Sequence, residues 1–131
     1  MKNITLKDLK EALEYSWSKE TSADPDKWTS ENPAWGQCAV SALIGEDCFG
    51  GNLLRYDLLG MGSHYINQLP NGDEVDLTAS QFPKNLYECI KNHSPKEPRT
   101  REYVLSYPET KKRYKLLKQR VEEYLRNKGE A

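Results

Sequence analysis

Cys38, His64 and Asp76 of this 131-residue chain together supply the residue types that nucleophilic chemistry needs. In acyl transfer a cysteine attacks as the thiolate, a histidine moves the proton, and a carboxylate orients the imidazole. Cys38 follows Asn32-Pro33-Ala34-Trp35-Gly36-Gln37 and opens an apolar block of Ala39, Val40, Ala42, Leu43 and Ile44. That block is apolar nearly all round, so it reads as a short central helix buried on most sides and ending near Phe49-Gly50-Gly51. A thiol in the first turn faces unpaired N–H groups and the positive end of the helix dipole, both of which favour the thiolate. The Cys38 backbone N–H can also stabilise an oxyanion, with Gln37 or Asn32 as side-chain donors and Trp35 and Tyr65 as aromatic rims of the cleft.

Whether His64 and Asp76 can meet depends on one hairpin. His64-Tyr65-Ile66-Asn67-Gln68-Leu69 and Glu74-Val75-Asp76-Leu77-Thr78 read as strands joined through Pro70-Asn71-Gly72. A two-residue turn on Asn71-Gly72 would place His64 and Asp76 on opposite faces, because side chains alternate with period 2. It would also require Pro70 to donate a hydrogen bond it lacks. In a three-residue turn Pro70 and Asn71 take the central type I positions and Gly72 the left-handed bulge position. Leu69 then faces Asp73, Ile66 faces Asp76 and His64 faces Thr78. His64 and Asp76 become diagonal neighbours on one face, at roughly 7–8 Å between backbones, within reach of a side-chain hydrogen bond.

The runs Gly36-Gln37-Cys38-Ala39-Val40, Phe49-Gly50-Gly51, Ser63-His64-Tyr65-Ile66-Asn67 and Asp76-Leu77-Thr78, together with Arg113-Tyr114, resemble the YunG-like family over most of the chain. That resemblance implies no particular activity. More distantly, the order of cysteine on a helix, histidine on a strand and acid on the next strand is similar to papain-like and transglutaminase-like enzymes. This likeness implies a papain-like fold and hydrolysis or transfer at an amide or thioester. Asn32 stands near the offset at which papain-like enzymes hold a glutamine, and Gln37 lies beside the cysteine instead.

The remaining elements form the frame. Thr5 and Asp8 read as a helix cap with Ile4 and Leu9 as a hydrophobic staple, and Leu6, Leu9, Leu13 and Trp17 recur at helical spacing over residues 6–16. Residues 19–32 read as a long ordered loop anchored by Trp28. Leu53-Leu54-Arg55-Tyr56 is a further strand, and Leu86, Tyr87 and Ile90 suggest a short helix. Ser106 with Glu109 caps a last helix carrying Tyr114, Leu117, Val121 and Leu125 and ending over residues 127–129. The expected fold class is therefore α+β in one domain, residues 1–131: a central cysteine-bearing helix on an antiparallel sheet of about three strands, flanked by N- and C-terminal helices.

Composition narrows the function classes. A mean hydropathy of −0.87 and 30% charged residues leave no apolar run long enough to span a bilayer. Three cysteines without framework spacing point to free thiols and the cytoplasm. Residues 99–128 carry 10 basic and 4 acidic side chains against 9 and 15 over residues 1–98; with no nucleic-acid motif beside it, this basic helix reads as a solvated face rather than a nucleic-acid contact. A zinc site from Cys38, Cys48, His64, Cys89 and His93 lacks paired C-x-x-C spacing, so no metal or cofactor is expected. The functional expectation is a cysteine-dependent hydrolase or acyltransferase with a small-molecule or peptide substrate. The alternative is a non-catalytic module binding a ligand or peptide in the same cleft.

Overall fold

The computed structural model describes residues 3–58, 62–85, 88 and 95–129. Helix α1 covers Leu6–Ser16, the span the periodicity predicts. The Thr5 hydroxyl accepts from the Asp8 N–H and the Asp8 carboxylate accepts from the Thr5 N–H, each at 3.1 Å, which satisfies two donors the helix start would otherwise leave open. A 3₁₀ turn at Lys19–Thr21 follows, and the loop after it is held by the Trp28 indole donating to the Pro33 carbonyl at 2.9 Å. Helix α2, Cys38–Phe49, buries Val40, Ser41, Ala42, Leu43, Ile44 and Gly45 in succession. It stops at Gly50 and Gly51, whose φ values of 74° and 81° suit glycine. A Cβ at position 51 would stand 2.0 Å from the Gln68 carbonyl oxygen, so the crossing from helix to sheet admits no side chain there.

Strands β1 (Asn52–Asp57), β2 (Ser63–Gln68), β3 (Glu74–Val75) and β4 (Glu97–Arg99) form one sheet in the order β3-β2-β1-β4, each pair antiparallel. Among the described residues the sheet has four strands, where about three were expected. The fourth runs through Pro98, opposite Leu54 at the sheet edge, where a residue without an N–H is tolerated and a sequence pattern reads only a break. Strand β3 is shorter than the run that suggested it, because the chain turns at Asp76.

Two helices complete the described chain: α3 (Arg101–Leu105) and α4 (Pro108–Gly129). The short α3 is capped by the Thr100 hydroxyl, which accepts from the Tyr103 N–H at 3.1 Å. Ser106, expected to cap the last helix, closes α3 instead: its hydroxyl donates to the Tyr103 carbonyl at 2.6 Å. Helix α4 starts one turn around Tyr107, whose carbonyl accepts from the Lys111 N–H at 3.0 Å. The short helix expected around Leu86, Tyr87 and Ile90 lies outside the described residues. No helix among the described residues is long and apolar enough to cross a membrane.

Helix α2 lies on one sheet face and α4 packs against both α2 and α1, around a core that includes Leu9, Leu13, Leu43, Leu53, Leu117 and Val121. Each such side chain taken from water contributes about 1.5–3 kcal/mol. Helix α2 lies close on β2 because Gly45 has no side chain; a Cβ there would meet the Asn67 amide at 2.8 Å, and that amide donates to the Ala42 carbonyl at 2.9 Å. Arg101 pairs with Glu46 at 2.9 Å and Asp47 at 2.8 Å, tying α3 to the end of α2. The other sheet face carries a smaller cluster of Leu54, Tyr56, Leu58 and Ile66, with Phe82 against it.

Candidate active site

The hairpin takes the three-residue form. The Leu69 N–H donates to the Asp73 carbonyl at 2.7 Å, the Gly72 N–H to the Leu69 carbonyl at 2.8 Å, and Gly72 has φ 94°. Asn67 consequently pairs with Val75 and Gln68 with Glu74. Alternation along β2 turns Tyr65 and Asn67 toward α2 and its core, and Ile66 and His64 to the opposite face. On that face Asp76 Oδ2 lies 2.6 Å from His64 Nε2, with only 1% of the histidine and 8% of the aspartate side chain exposed.

Asp76 is itself held. Its Oδ1 accepts from the Thr78 N–H at 3.0 Å and the Thr78 hydroxyl at 3.3 Å, a local turn typical of aspartate two residues before threonine. Thr78 Oγ1 then accepts from Gln81 Nε2 at 2.9 Å, and Gln81 Oε1 accepts from the Gly36 N–H at 3.4 Å. This series of bonds leads from the imidazole back to the residue two before Cys38. The Tyr56 and Phe82 rings stand edge-on to the imidazole, 5.3 and 5.2 Å between centroids, and fix its plane.

Cys38 is the first residue of α2 and is half-buried. Its sulfur lies 4.0 Å from the carbonyl of Ser63, the first residue of β2, which brings it around the strand end to the face that carries His64. Its side chain is near enough to the imidazole to help raise the histidine's pKa, and with Nε2 engaged by Asp76 Nδ1 is the other nitrogen of the ring. Burial pulls the His64 pKa down, but the hydrogen bonds to Asp76 and Cys38 outweigh it and raise the value from 6.5 to about 9. At neutral pH the ring therefore carries its proton. Cys38 and His64 open into a cleft of 180 Å³ whose walls include Trp35, Gln81, Phe82 and Arg113.

Of the four accessory residues the sequence suggested, Trp35 alone lines this cleft; its indole donates to Asp24 at 3.1 Å. Gln37 is fully buried and turned away: it donates to the Ser18 carbonyl at 3.0 Å and accepts from the Thr21 hydroxyl at 2.8 Å, which anchors the start of α2 to the 3₁₀ turn. The Asn32 amide donates to the Gln81 carbonyl at 3.1 Å and braces the wall from behind. Tyr65 packs on the α2 side of the sheet. Both amides lie near Cys38 in the sequence, yet a buried amide goes where its hydrogen bonds are satisfied.

Thr78, Gln81, Phe82 and Arg113 were not anticipated. The spacing of Asp76 and Thr78 is the one local signal among them; the others reach the site through tertiary packing. Cys48 sits in a different setting, where burial and the neighbouring Asp47 push its thiol up to about 11. Cys89 and His93 lie outside the described residues, and among the described residues no three His, Cys, Asp or Glu side chains are grouped to hold a metal ion.

The family model described as YunG protein matches residues 5–126 of the chain. The uncharacterized protein YunG of Bacillus subtilis (strain 168) is 38% identical over 77 residues, a segment covering 59% of this chain and 63% of that protein. The match thus spans less than two thirds of that relative's length. No solved structure matches, so the likeness to papain-like enzymes rests on the order of the residues alone.

Proposed function

Because the chain belongs to the YunG family, a membership that supplies no reaction, we propose from the site itself that it is a cysteine-dependent hydrolase or acyltransferase acting on an amide or thioester. The observation that carries this reading is the His64 imidazole paired with the Asp76 carboxylate at 2.6 Å in the same cleft as the Cys38 thiol at the start of a helix. The arrangement provides a nucleophile, a proton carrier and an orienting group in series. Its order along the chain is the papain-like one.

The Cys38 thiolate attacks the substrate carbonyl carbon, and the carbonyl electron pair moves onto oxygen. The first-turn N–H groups of α2, that of Cys38 among them, have no intrahelical partner and are the donors for this oxyanion. As the tetrahedral species collapses, the C–N or C–S bond breaks and His64 gives its proton to the leaving amine or thiol. A thioester to Cys38 remains. Water then attacks while His64 takes its proton, the acid departs, and the thiolate and protonated imidazole are restored. An amine or thiol attacking in place of water makes the same cycle a transfer. Asp76 is a positioning residue throughout.

The test is alkylation of the full chain with iodoacetamide, read residue by residue by mass spectrometry. Cys38 is expected to react at least about tenfold faster than Cys48 at neutral pH, an advantage that disappears in His64→Asn. The same two proteins should differ in release of nitrophenol from p-nitrophenyl acetate, with Cys38→Ala inactive. Equal alkylation of Cys38 and Cys48 whatever residue stands at 64 would sink the proposal.

A further inference from the structure

Arg113 reaches the Cys38 cleft from α4 and also lines the adjoining groove of 650 Å³, beside Lys19, Lys112 and Glu109. Its guanidinium is half-buried, and its Nη2 donates to the Thr110 hydroxyl at 3.2 Å. Among the described residues its buried Nε has no hydrogen-bond partner and the guanidinium forms no ion pair with a carboxylate. This differs from the other buried-side arginines: Arg101 has Glu46 and Asp47, and Arg120 has Ser18 and Glu20. A buried donor without an acceptor costs free energy and marks this guanidinium as short of acceptors, and the part of it that lines the cleft can donate to a carboxylate. Burial also pushes the Arg113 pKa down, against the opposing charge of Glu109 and, after it, of Cys38.

We infer that Arg113 is the specificity-determining residue of the cleft, where its guanidinium holds a carboxylate carried by the substrate close to the scissile carbonyl. The acyl donor is thus an anionic amide or thioester, such as one bearing a free carboxyl group a few atoms from the bond that breaks. The inference rests on the reading of Cys38 as nucleophile. It adds the substrate class, which the nucleophile, histidine and aspartate leave open.

Two alkylating reagents separate the two ideas. Iodoacetate and iodoacetamide both lose iodide to the attacking thiolate, but only the first brings a carboxylate. Rates at Cys38 and Cys48 are measured in the full chain by mass spectrometry, for wild type, Arg113→Gln and Arg113→Lys. Arg113→Gln is expected to slow iodoacetate at Cys38 by roughly tenfold while iodoacetamide changes by less than about twofold. Arg113→Lys should fall between them, since a point charge lacks the planar donors of a guanidinium, and the ratio at Cys48 should not move. An unchanged iodoacetate-to-iodoacetamide ratio in Arg113→Gln overturns the inference and leaves the nucleophile standing. Cys38 inert to both reagents in wild type overturns both. Should the Gln variant fail to fold by circular dichroism, wild type still decides: succinate is expected to slow iodoacetamide at Cys38, and no slowing at concentrations that leave Cys48 unaffected counts against the carboxylate site.

Discussion

The two faces of the four-stranded sheet bury side chains of different kinds. Under α2 the packing is mainly apolar, with Leu43, Leu53, Leu117 and Val121 all at most 1% exposed and Ser41 and Asn67 as polar exceptions, and burial of apolar groups is what drives a chain of this size to fold. On the far face the buried residues include His64, Thr78 and Gln81, with Asp76 beside them, bonded in series. Buried polar groups cost desolvation that their bonds roughly offset, and apolar residues of the same shape would often serve stability as well or better. Apolar burial therefore accounts for the first face and for Leu54, Tyr56, Leu58 and Ile66 on the second, but not for the polar series beside them. That series is where chemistry is to be sought.

The comparison breaks most readily at its apolar side. Leu43→Ala, at a position with no exposure, is expected to lose about 2–5 kcal/mol in urea unfolding. Under native conditions it should leave the alkylation preference for Cys38 nearly intact. Asp76→Asn keeps the shape and removes the charge opposite His64. It should cost about 1–3 kcal/mol, less than Leu43→Ala, yet abolish the preference for Cys38; a variant as reactive as wild type would show that the far face is merely structural.

A smaller effect is the pH dependence of stability. The His64 pKa is raised in the folded state from 6.5 to about 9, so its contribution is complete below the lower value and is lost as pH rises through the upper one. Urea midpoints measured between about pH 6 and pH 10 should fall across that window in wild type and stay flatter in His64→Asn. The smallest effect sharpens the contrast: Cys38→Ser, at a half-buried helix start, should change stability by no more than about 0.5 kcal/mol while removing acyl transfer. A large loss of stability there would make Cys38 a packing residue.

Local signals were legible where local physics decides the outcome. Thr5 and Asp8 set the start of α1, and Gly50 and Gly51 set the end of α2. The fourth strand was not legible, because an edge strand through Pro98 has partners only in β1, more than forty residues earlier in the chain. The accessory amides failed for a related reason. Gln37 is adjacent to Cys38, but neighbouring residues at a helix start point in different directions, and its amide finds Ser18 and Thr21.

By itself the sequence determined that the chain is α+β, that Cys38 opens a buried helix, and that Pro70-Asn71-Gly72 sets a register in which His64 and Asp76 share a face. Each of these follows from φ preferences, caps and the period of side-chain alternation over a few residues. Only the tertiary structure decided what surrounds them: Phe82 and Tyr56 against the imidazole, Gln81 linking Thr78 to Gly36, and Arg113 across the cleft from a helix 75 positions beyond Cys38. Those placements come from the packing of α4 and the sheet around α2, a balance of contacts between distant segments that no short stretch of sequence contains.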